Sequence, residues 1–209
     1  MKIKIAPSIL SADRNKLNEE VKEIENYAEL IHVDIMDGKF VPPTTFKAEE
    51  IKKIKTKLPL DVHLMVEKPS TYIDDYSFAS IITIHGECKE NIDELINKIK
   101  NKNIKVGISI NPPTPLDKIK EYLDKVDMIL VMSVNPGYAG QKFIEDVLEK
   151  IKELRKLKPY LDIEIDGGIT KDTIKKAVDA GANIIVAGSA IFDKEDRKKA
   201  IEELRQAVK

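Results

Sequence analysis

Short apolar runs alternate along the chain with longer segments in which apolar residues recur every three or four positions. The short runs predict eight strands, at residues 3–9, 30–36, 60–66, 80–85, 105–110, 128–134, 161–165 and 184–187. The longer segments predict helices at residues 11–27, 47–57, 70–76, 91–101, 116–123, 143–157, 171–180 and 193–208. Strands that alternate with helices in this way are typical of an α/β fold with a parallel sheet.

The number of these units predicts the architecture. Eight strand–helix units in 209 residues predict a (β/α)8 TIM barrel that forms one domain over residues 1–209. A doubly wound open sheet shows the same alternation, and the count alone leaves it open. Side-chain parity favours the barrel, because strands 30–36, 60–66 and 161–165 each have one wholly apolar face that suits packing against outer helices.

The other face of the same three strands carries ionisable side chains close to the C-terminal strand end. His32 and Asp34 share one face of the second strand, His63 lies on the third and Asp166 on the seventh. Charged groups on a buried strand face are costly unless they are paired. A hydrogen-bonded core histidine beside a surface aspartate explains the second strand taken alone. The repetition on three strands instead predicts a site for a divalent cation with nitrogen and oxygen ligands.

The strand or turn positions of four further polar residues predict their roles. Lys4 and Glu164 fall on inward positions one layer deeper, and we expect them to neutralise each other near the barrel floor. His85 ends the fourth strand, and we interpret it as a residue that supports the site or the core and not as a metal ligand. Asp37 precedes a glycine and is expected to cap a turn.

Glycine-containing loops follow the last three strands. They cover residues 135–141, 166–168 and 187–189, and each brings small residues to a strand end. An ordinary tight turn accounts for any one of them. Together they fit the phosphate site that this barrel fold often carries after its last strands, where backbone N–H groups hold the anion. The chain has no Gly-Lys-Ser/Thr P-loop pattern, which argues against a nucleoside triphosphatase.

The balance of charge narrows the range of partners. Lys and Arg number 35 and Asp and Glu 36, so there is no electrostatic reason to expect binding to nucleic acid or to an anionic membrane surface. Cys88 is the only cysteine, which excludes an internal disulfide and favours a reducing compartment. The sequence shows no signal-peptide h-region and no apolar run of membrane-spanning length. We therefore expect a cytoplasmic protein.

Seven segments resemble the ribulose-phosphate 3-epimerase family, and together they extend over nearly the whole chain. They are APSILSAD (6–13), HVDIMDG (32–38), FVP (40–42), DVHLMV (61–66), VMSVNPG (131–137), EIDGGI (164–169) and VAGSAIF (186–192). The resemblance implies a TIM barrel of the ribulose-phosphate-binding type. It also implies a metal-dependent epimerase that interconverts D-ribulose 5-phosphate and D-xylulose 5-phosphate in the pentose phosphate pathway, through an enediolate formed by proton transfer at carbon 3.

The same resemblance implies roles for the site residues. It assigns the metal to His32, Asp34, His63 and Asp166. It makes Asp34 the proton acceptor and Asp166 the proton donor in one direction. The substrate contacts that it implies are Ser8, His63, Gly137, Tyr138, Ala139, Gly140, Gly167, Gly168, Gly188 and Ser189. The residues that it suggests as a lining for the reaction intermediate are Met36, Met65 and Met132, for which core filling is the alternative.

The implied cofactor is one divalent cation. Two histidines and two carboxylates favour Zn²⁺, and Fe²⁺, Mn²⁺ and Co²⁺ stay open. The expected partners are a phosphorylated ketopentose and, as the default for such an enzyme, further copies of the chain in a homo-oligomer. The rim departs from the family pattern at Ala139, where glycine is common, and at Pro43 and Lys47. Two alternatives stay open, namely an epimerase of D-allulose 6-phosphate and a non-catalytic barrel that binds a sugar phosphate.

Overall fold

Eight parallel strands form one sheet in the computed structural model, which describes residues 1–209. The strands are β1 (Lys4–Pro7), β2 (Ile31–Met36), β3 (Leu60–Met65), β4 (Ile81–His85), β5 (Lys105–Ile110), β6 (Met128–Met132), β7 (Asp162–Asp166) and β8 (Ile184–Ala187). Their order is β1-β8-β7-β6-β5-β4-β3-β2. A parallel bridge between Ser8 and His32 brings the edge strands β1 and β2 together. This ring of strands confirms the predicted TIM barrel.

Seven α-helices follow the strands, and several differ from the predicted helices. They are α1 (Leu17–Ile24), α2 (Ala48–Ile51), α3 (Ile92–Lys100), α4 (Val147–Leu157), α5 (Lys171–Ala180), α6 (Ser189–Phe192) and α7 (Arg197–Gln206). Short 3₁₀ turns occupy Ile9–Ser11, Arg14–Lys16, Pro69–Thr71, Leu116–Lys118 and Lys120–Tyr122. The predicted helices at 70–76 and 116–123 are therefore present only as short 3₁₀ turns, because segments of this length are marginal as α-helices. None of the helices combines the length and the apolar character that a membrane crossing requires.

The helix predicted at 47–57 is shortened to α2 by side chains on and just after α1. Oε1 of Glu25 accepts a hydrogen bond from the backbone N–H of Lys57 at 2.8 Å. Oδ1 of Asn18 accepts one from the backbone N–H of Lys55 at 2.7 Å. Because these N–H groups bond to side chains, they are not available for helical hydrogen bonds. The apolar periodicity of this segment was therefore a weaker signal than its competing polar partners.

The outer faces of the strands pack against the helices in the main hydrophobic core. This core contains 48 buried residues, among them Ile31, Val33 and Ile35 of β2. A smaller apolar cluster inside the barrel is made of Ala6, Leu30, Ile81, Met128, Ile184 and Val186. His32 and His63, on the opposite face from this outer core, are fully buried. The predicted parity is confirmed, and it directs the ionisable side chains of β2 and β3 into the barrel.

Lys4 and Glu164 do not pair, so the predicted ion pair near the barrel floor is wrong. The Nζ of Lys4 donates to Oδ2 of Asp162 at 2.8 Å, and these two side chains are 32% and 29% exposed. Glu164 is fully buried, and its Oε1 lies 3.6 Å from Nδ1 of His32. An ammonium group at the exposed N-terminal end of the barrel keeps part of its hydration, whereas a contact with Glu164 would require burial of that group.

Candidate active site

Four ionisable side chains meet at the C-terminal mouth of the barrel, although they come from distant parts of the chain. The ligand atoms of His32, Asp34, His63 and Asp166 all lie within 4.8 Å of one another. Strand register explains the meeting, because Asp34 of β2 stands level with His63 of β3 and Asp166 is the last residue of β7. The four residues that the sequence predicts as ligands therefore form one cluster that could hold a metal ion.

The Nε2 atom of His32 shows that this cluster fits a divalent cation. It is buried and has no hydrogen-bond partner. It lies 3.3 Å from Oδ1 of Asp34 and 3.9 Å from Oδ2 of Asp166. Buried polar atoms without a partner are rare, and they often mark the place of an ion. A ring nitrogen that faces two carboxylates, with a second histidine alongside, is a donor set that suits Zn²⁺ and related ions.

Asp34 lies among three polar neighbours. Oγ of Ser8 donates to its Oδ2 at 2.6 Å. Its Oδ1 faces Nε2 of His32 and Nδ1 of His63, each at 3.3 Å. Burial alone would raise the pKa of the Asp34 carboxyl, but His32 beside it holds that pKa well below its usual value. Asp34 is therefore a carboxylate at neutral pH.

The surroundings of Asp166 shift its pKa in the opposite direction from that of Asp34. Its carboxyl group makes no hydrogen bond with another side chain, and its nearest charged partner is His32 at 3.9 Å. Burial and the neighbouring Asp34 carboxylate raise the pKa of Asp166 to about 7. The side chain is 16% exposed, compared with 4% for Asp34. In the metal-free protein the protonated form of Asp166 is therefore well populated near neutral pH.

Asp61 is not among the predicted site residues, yet it contacts a candidate ligand. Its Oδ2 lies 2.8 Å from Nδ1 of His32, and both side chains are fully buried. This contact orients the ring so that Nε2 faces the cluster. Burial and the Asp61 carboxylate raise the pKa of Glu164 well above its usual value, so that this second acid is neutral. Strand parity could have found Asp61, because it lies two residues before His63 on the same face.

All three histidines of the chain belong to this site. The Nε2 atoms of His63 and His85 lie 2.9 Å apart, and Nδ1 of His85 lies 2.9 Å from Oε2 of Glu87. Burial lowers the pKa of His85 to about 4, so its ring is neutral at physiological pH. Burial alone would raise the pKa of Glu87, but His85 and the N–H of Asn111 lower it to about 2. His85 thus contacts a candidate ligand from outside the cluster.

A cavity of about 410 Å³ opens above the cluster. Asp34 and Asp166 line it together with Met36, Met65 and Met132. The predicted substrate contacts that line it are Ser8, Gly137, Tyr138, Ala139, Gly140, Gly167, Gly168, Gly188 and Ser189. His63 differs from these residues, because it is fully buried and its two ring nitrogens face Asp34 and His85. It therefore reaches the cavity only through the ligand cluster.

Two glycines after β7 let the backbone itself line one end of the cavity. Gly167 and Gly168 have φ angles of +119° and +63°. A Cβ on Gly167 would lie 2.4 Å from the side chain of Val134, and one on Gly168 would lie 2.5 Å from the backbone nitrogen of Phe143. No other residue type fits these positions without strain. Backbone N–H groups exposed in this way are the usual donors of an anion site.

Comparison with known proteins identifies relatives over the whole chain. A family model described as the ribulose-phosphate 3 epimerase family matches residues 4–192. The ribulose-phosphate 3-epimerase of Bacillus subtilis (strain 168) is 46% identical over 213 residues, which cover 97% of this chain and 98% of that protein. The chloroplastic ribulose-5-phosphate-3-epimerase of Arabidopsis thaliana is 43% identical over 214 residues, which cover 96% of this chain and 75% of that protein.

Solved structures of more distant proteins share the fold. The 3-hexulose-6-phosphate synthase from Salmonella typhimurium has a TM-score of 0.74 at 17% identity, with 99% of this chain and 98% of that chain covered. Orotidine 5'-monophosphate decarboxylase from Sulfolobus solfataricus has a TM-score of 0.71 at 16% identity, with 99% and 98% covered. At these identities the likeness concerns the barrel alone.

Proposed function

Since the chain belongs to the ribulose-phosphate 3-epimerase family, we propose that it interconverts D-ribulose 5-phosphate and D-xylulose 5-phosphate by proton transfer at carbon 3. The observation that carries the proposal is the pair Asp34 and Asp166. The two carboxyl groups line one cavity, come from strands three places apart around the barrel, and have pKa shifts of opposite sign. Inversion of a carbon needs one group to take a proton from one face and another to return a proton to the other face.

Asp34 acts as the base in one direction of this proposed reaction, and Asp166 acts as the acid. Asp34 is ionised, and the hydrogen bond from Ser8 fixes the orientation of its carboxylate. Oδ2 of Asp166 lies 3.9 Å from Nε2 of His32, and the raised pKa of this carboxyl group favours the protonated form that an acid needs. Two carboxyl groups whose surroundings separate their pKa values are the usual arrangement for paired acid and base roles. In the reverse direction the two residues exchange roles.

His32, Asp34, His63 and Asp166 would hold one divalent cation, with Zn²⁺ as the first candidate and Fe²⁺, Mn²⁺ and Co²⁺ as the others. Such a cation supplies a Lewis acid that stabilises negative charge on the substrate oxygens when the carbon 3 proton leaves. Asp61 contributes by holding the His32 ring, so that the ring nitrogen without a partner faces the cluster.

The rest of the cavity binds and shields the substrate. Met36, Met65 and Met132 give an apolar, polarisable lining beside the two acids. The glycine loops at 137–140 and 167–168, together with Gly188 and Ser189, offer backbone donors for the phosphate. Water is thereby kept from the reacting carbon while the charged end of the sugar is anchored at the rim.

The proposal is tested by comparing two substrates on protein of defined metal content. Protein stripped with a chelator is reloaded with each of the four cations, and turnover of D-ribulose 5-phosphate and of D-allulose 6-phosphate is measured. We expect activity to disappear on stripping, to return with at least one cation, and to favour the pentulose phosphate. Circular dichroism of the stripped protein controls for unfolding.

Two other outcomes would replace the proposal. A preference for D-allulose 6-phosphate would assign the enzyme to that hexulose phosphate. Absence of turnover on both substrates, together with absence of deuterium uptake at carbon 3 in D₂O, would identify a barrel that binds a sugar phosphate without converting it. That second outcome leaves the pair of opposed carboxyl groups without a role.

We also propose a cytoplasmic homo-oligomer. The single, half-buried Cys88, whose thiol has its pKa raised by burial, is compatible with a reducing compartment. Most soluble oligomers are homo-oligomers with closed symmetry, so this is the default assembly. Light scattering after gel filtration is expected to give a multiple of the monomer mass, and a monomer at micromolar concentration would contradict the proposal.

A further inference from the structure

A row of three side chains lies behind the candidate ligand His63. His85 stands between His63 and Glu87, with contacts of 2.9 Å on both sides. The other carboxylate oxygen of Glu87, Oε1, accepts a hydrogen bond from the backbone N–H of Asn111 at 2.8 Å. Both rings are fully buried and Glu87 is 20% exposed. A buried hydroxyl, Oγ of Ser109, lies 3.5 Å from Nε2 of His85 and can donate to a lone pair on that atom.

The protons in this row can be placed because the group at its end, the backbone N–H of Asn111, can only donate. The backbone N–H of Asn111 fixes Glu87 as an acceptor, and a carboxylate accepts at both of its oxygens. The proton between Glu87 and His85 therefore belongs to Nδ1 of His85. A neutral His85 ring then has its lone pair on Nε2, so the proton between the two rings belongs to Nε2 of His63.

This arrangement leaves the lone pair of His63 on Nδ1, which is the atom that lies 3.3 Å from Oδ1 of Asp34. We propose that His85 and Glu87 are positioning residues that hold His63 in this tautomer and thereby raise the affinity of the site for a divalent cation. The inference rests on the proposed metal site. The opposite tautomer would place a proton on Nδ1, where a ligand needs a lone pair.

Neighbouring contacts keep the row in place. The ring of Phe40 packs against His85, with the ring centroids 4.6 Å apart. Nζ of Lys150 donates to the backbone carbonyls of Asn111, Pro112 and Thr114 at 3.1, 2.6 and 2.5 Å, and so holds the segment that carries the Asn111 N–H. The donor that sets the direction of the row is therefore itself fixed by α4.

The variant Glu87→Gln tests the proposal because it reverses the direction of the hydrogen bonds along the row with almost no change in side-chain shape. The amide oxygen must face the N–H of Asn111, so the amide NH₂ is turned toward Nδ1 of His85. His85 then carries its proton on Nε2 and donates to His63, whose own proton moves to Nδ1. We expect the dissociation constant for Zn²⁺, measured on stripped protein by competition with a chromogenic chelator, to rise about 10- to 100-fold.

Glu90→Gln is the matched control. It removes the same charge from the same loop, but Glu90 bonds to the backbone N–H and the hydroxyl of Ser70 and touches neither ring. We expect its Zn²⁺ dissociation constant to stay within about threefold of the unmodified protein. A 10-fold weakening in both variants would show an effect of loop charge and would overturn the positioning role.

A second measurement does not depend on a variant that folds. Because the chain has three histidines, long-range ¹H–¹⁵N correlation spectra of the Zn²⁺-loaded protein give their tautomers one by one. We expect protons on Nε2 of His63 and on Nδ1 of His85. A proton on Nε2 of His85, or equal Zn²⁺ affinity in Glu87→Gln and the unmodified protein, would refute the inference. Failure of the unmodified protein to bind any divalent cation would instead refute the proposed metal site itself.

Discussion

The β2 and β7 sides of the barrel mouth carry the same functional group in opposite surroundings. Asp34 on β2 receives a hydrogen bond from Ser8 and faces two histidines, whereas the carboxyl group of Asp166 on β7 has no side-chain hydrogen bond. The pKa of Asp34 is accordingly held far below its usual range, and that of Asp166 is raised to about 7. The difference teaches that the neighbours, and not the residue type, divide base from acid in this site.

The largest effect is expected from neutralising the β2 side. Asp34→Asn removes the ionised carboxylate and one candidate ligand while keeping the shape of the side chain. We expect kcat to fall by about 10³- to 10⁴-fold, the upper part of the range for a positioned acid–base group, because Asp34 is also a candidate ligand. Steady-state kinetics on reloaded protein, with circular dichroism as a folding check, measures the change.

Asp179→Asn serves as the control for this variant, because Asp179 makes only a surface ion pair with Lys175. It should retain the kinetics of the unmodified protein. Turnover of Asp34→Asn within 10-fold of the unmodified protein would remove Asp34 from the chemistry and end the contrast between the two sides.

The variant Asp166→Asn, on the β7 side, is expected to separate proton exchange at carbon 3 from net epimerisation. The variant Asp34→Asn is expected to lose both. In Asp166→Asn the base Asp34 is still present, so one of the two epimers should continue to exchange its carbon 3 proton with D₂O. Net epimerisation should fall by about 10²- to 10³-fold, because the acid for the other face is missing. Equal losses of exchange and epimerisation would contradict separate roles for the two acids.

A smaller effect on kcat is expected from removing the hydrogen bond that orients the Asp34 carboxylate. Ser8→Ala removes the 2.6 Å contact to Oδ2 and leaves the histidine contacts in place. We expect kcat to fall by about 10-fold, which corresponds to ~1.4 kcal/mol. The acidic limb of the pH profile should move to higher pH, since Asp34 has lost a donor that favours its ionised form. A profile that does not move would assign Ser8 to substrate binding alone.

The smallest effect concerns the stability of the metal-free protein. The pKa of Asp166 is about 7 when folded and has an ordinary value of 3.8. Between these pH values the folded state binds more protons than the unfolded state, so the Asp166 contribution to stability falls as pH rises. Asp166→Asn should therefore raise Tm relative to the unmodified protein, by an amount that grows from about pH 4 to about pH 7 and then levels off.

The other end of β7 provides a control of opposite sign. Burial would raise the pKa of Asp162, but hydrogen bonds from Lys4 and Asn183 lower it below its ordinary value. Stability from Asp162 is therefore present at neutral pH and is lost in acid. Asp162→Asn should lower Tm at pH 7 and have less effect near pH 3. The same sign for both variants would show that the pKa contrast along β7 is wrong.

Strand parity predicted much of the barrel and also predicted that the four candidate ligands lie together. It succeeds because the side-chain period of a strand is fixed, so an apolar outer face determines which residues point inward. Helix ends were predicted less well. The segment 47–57 is helical only at its start, because the backbone N–H groups of Lys57 and Lys55 donate to Glu25 and Asn18, which are distant in the sequence.

The pairing of charges inside the barrel also could not be predicted from parity alone. Lys4 and Glu164 share an inward face, but the partner of Lys4 is Asp162 at the N-terminal end of the barrel, and Glu164 lies beside His32 and Asp61. Depth along the barrel axis and access to water decide such pairs, and both depend on the closed ring. The inward position of Asp61, in contrast, could have been predicted from strand parity.

Isotope transfer at carbon 3 tests the central claim most directly, namely that Asp34 and Asp166 act on opposite faces of one carbon. D-ribulose 5-phosphate is converted in D₂O by excess metal-loaded protein under single-turnover conditions, and the product is examined by mass spectrometry. We expect nearly every molecule of D-xylulose 5-phosphate to carry one deuterium at carbon 3, because the group that returns the proton differs from the group that removed it. Product that retains the original hydrogen would show a single base and would contradict the account.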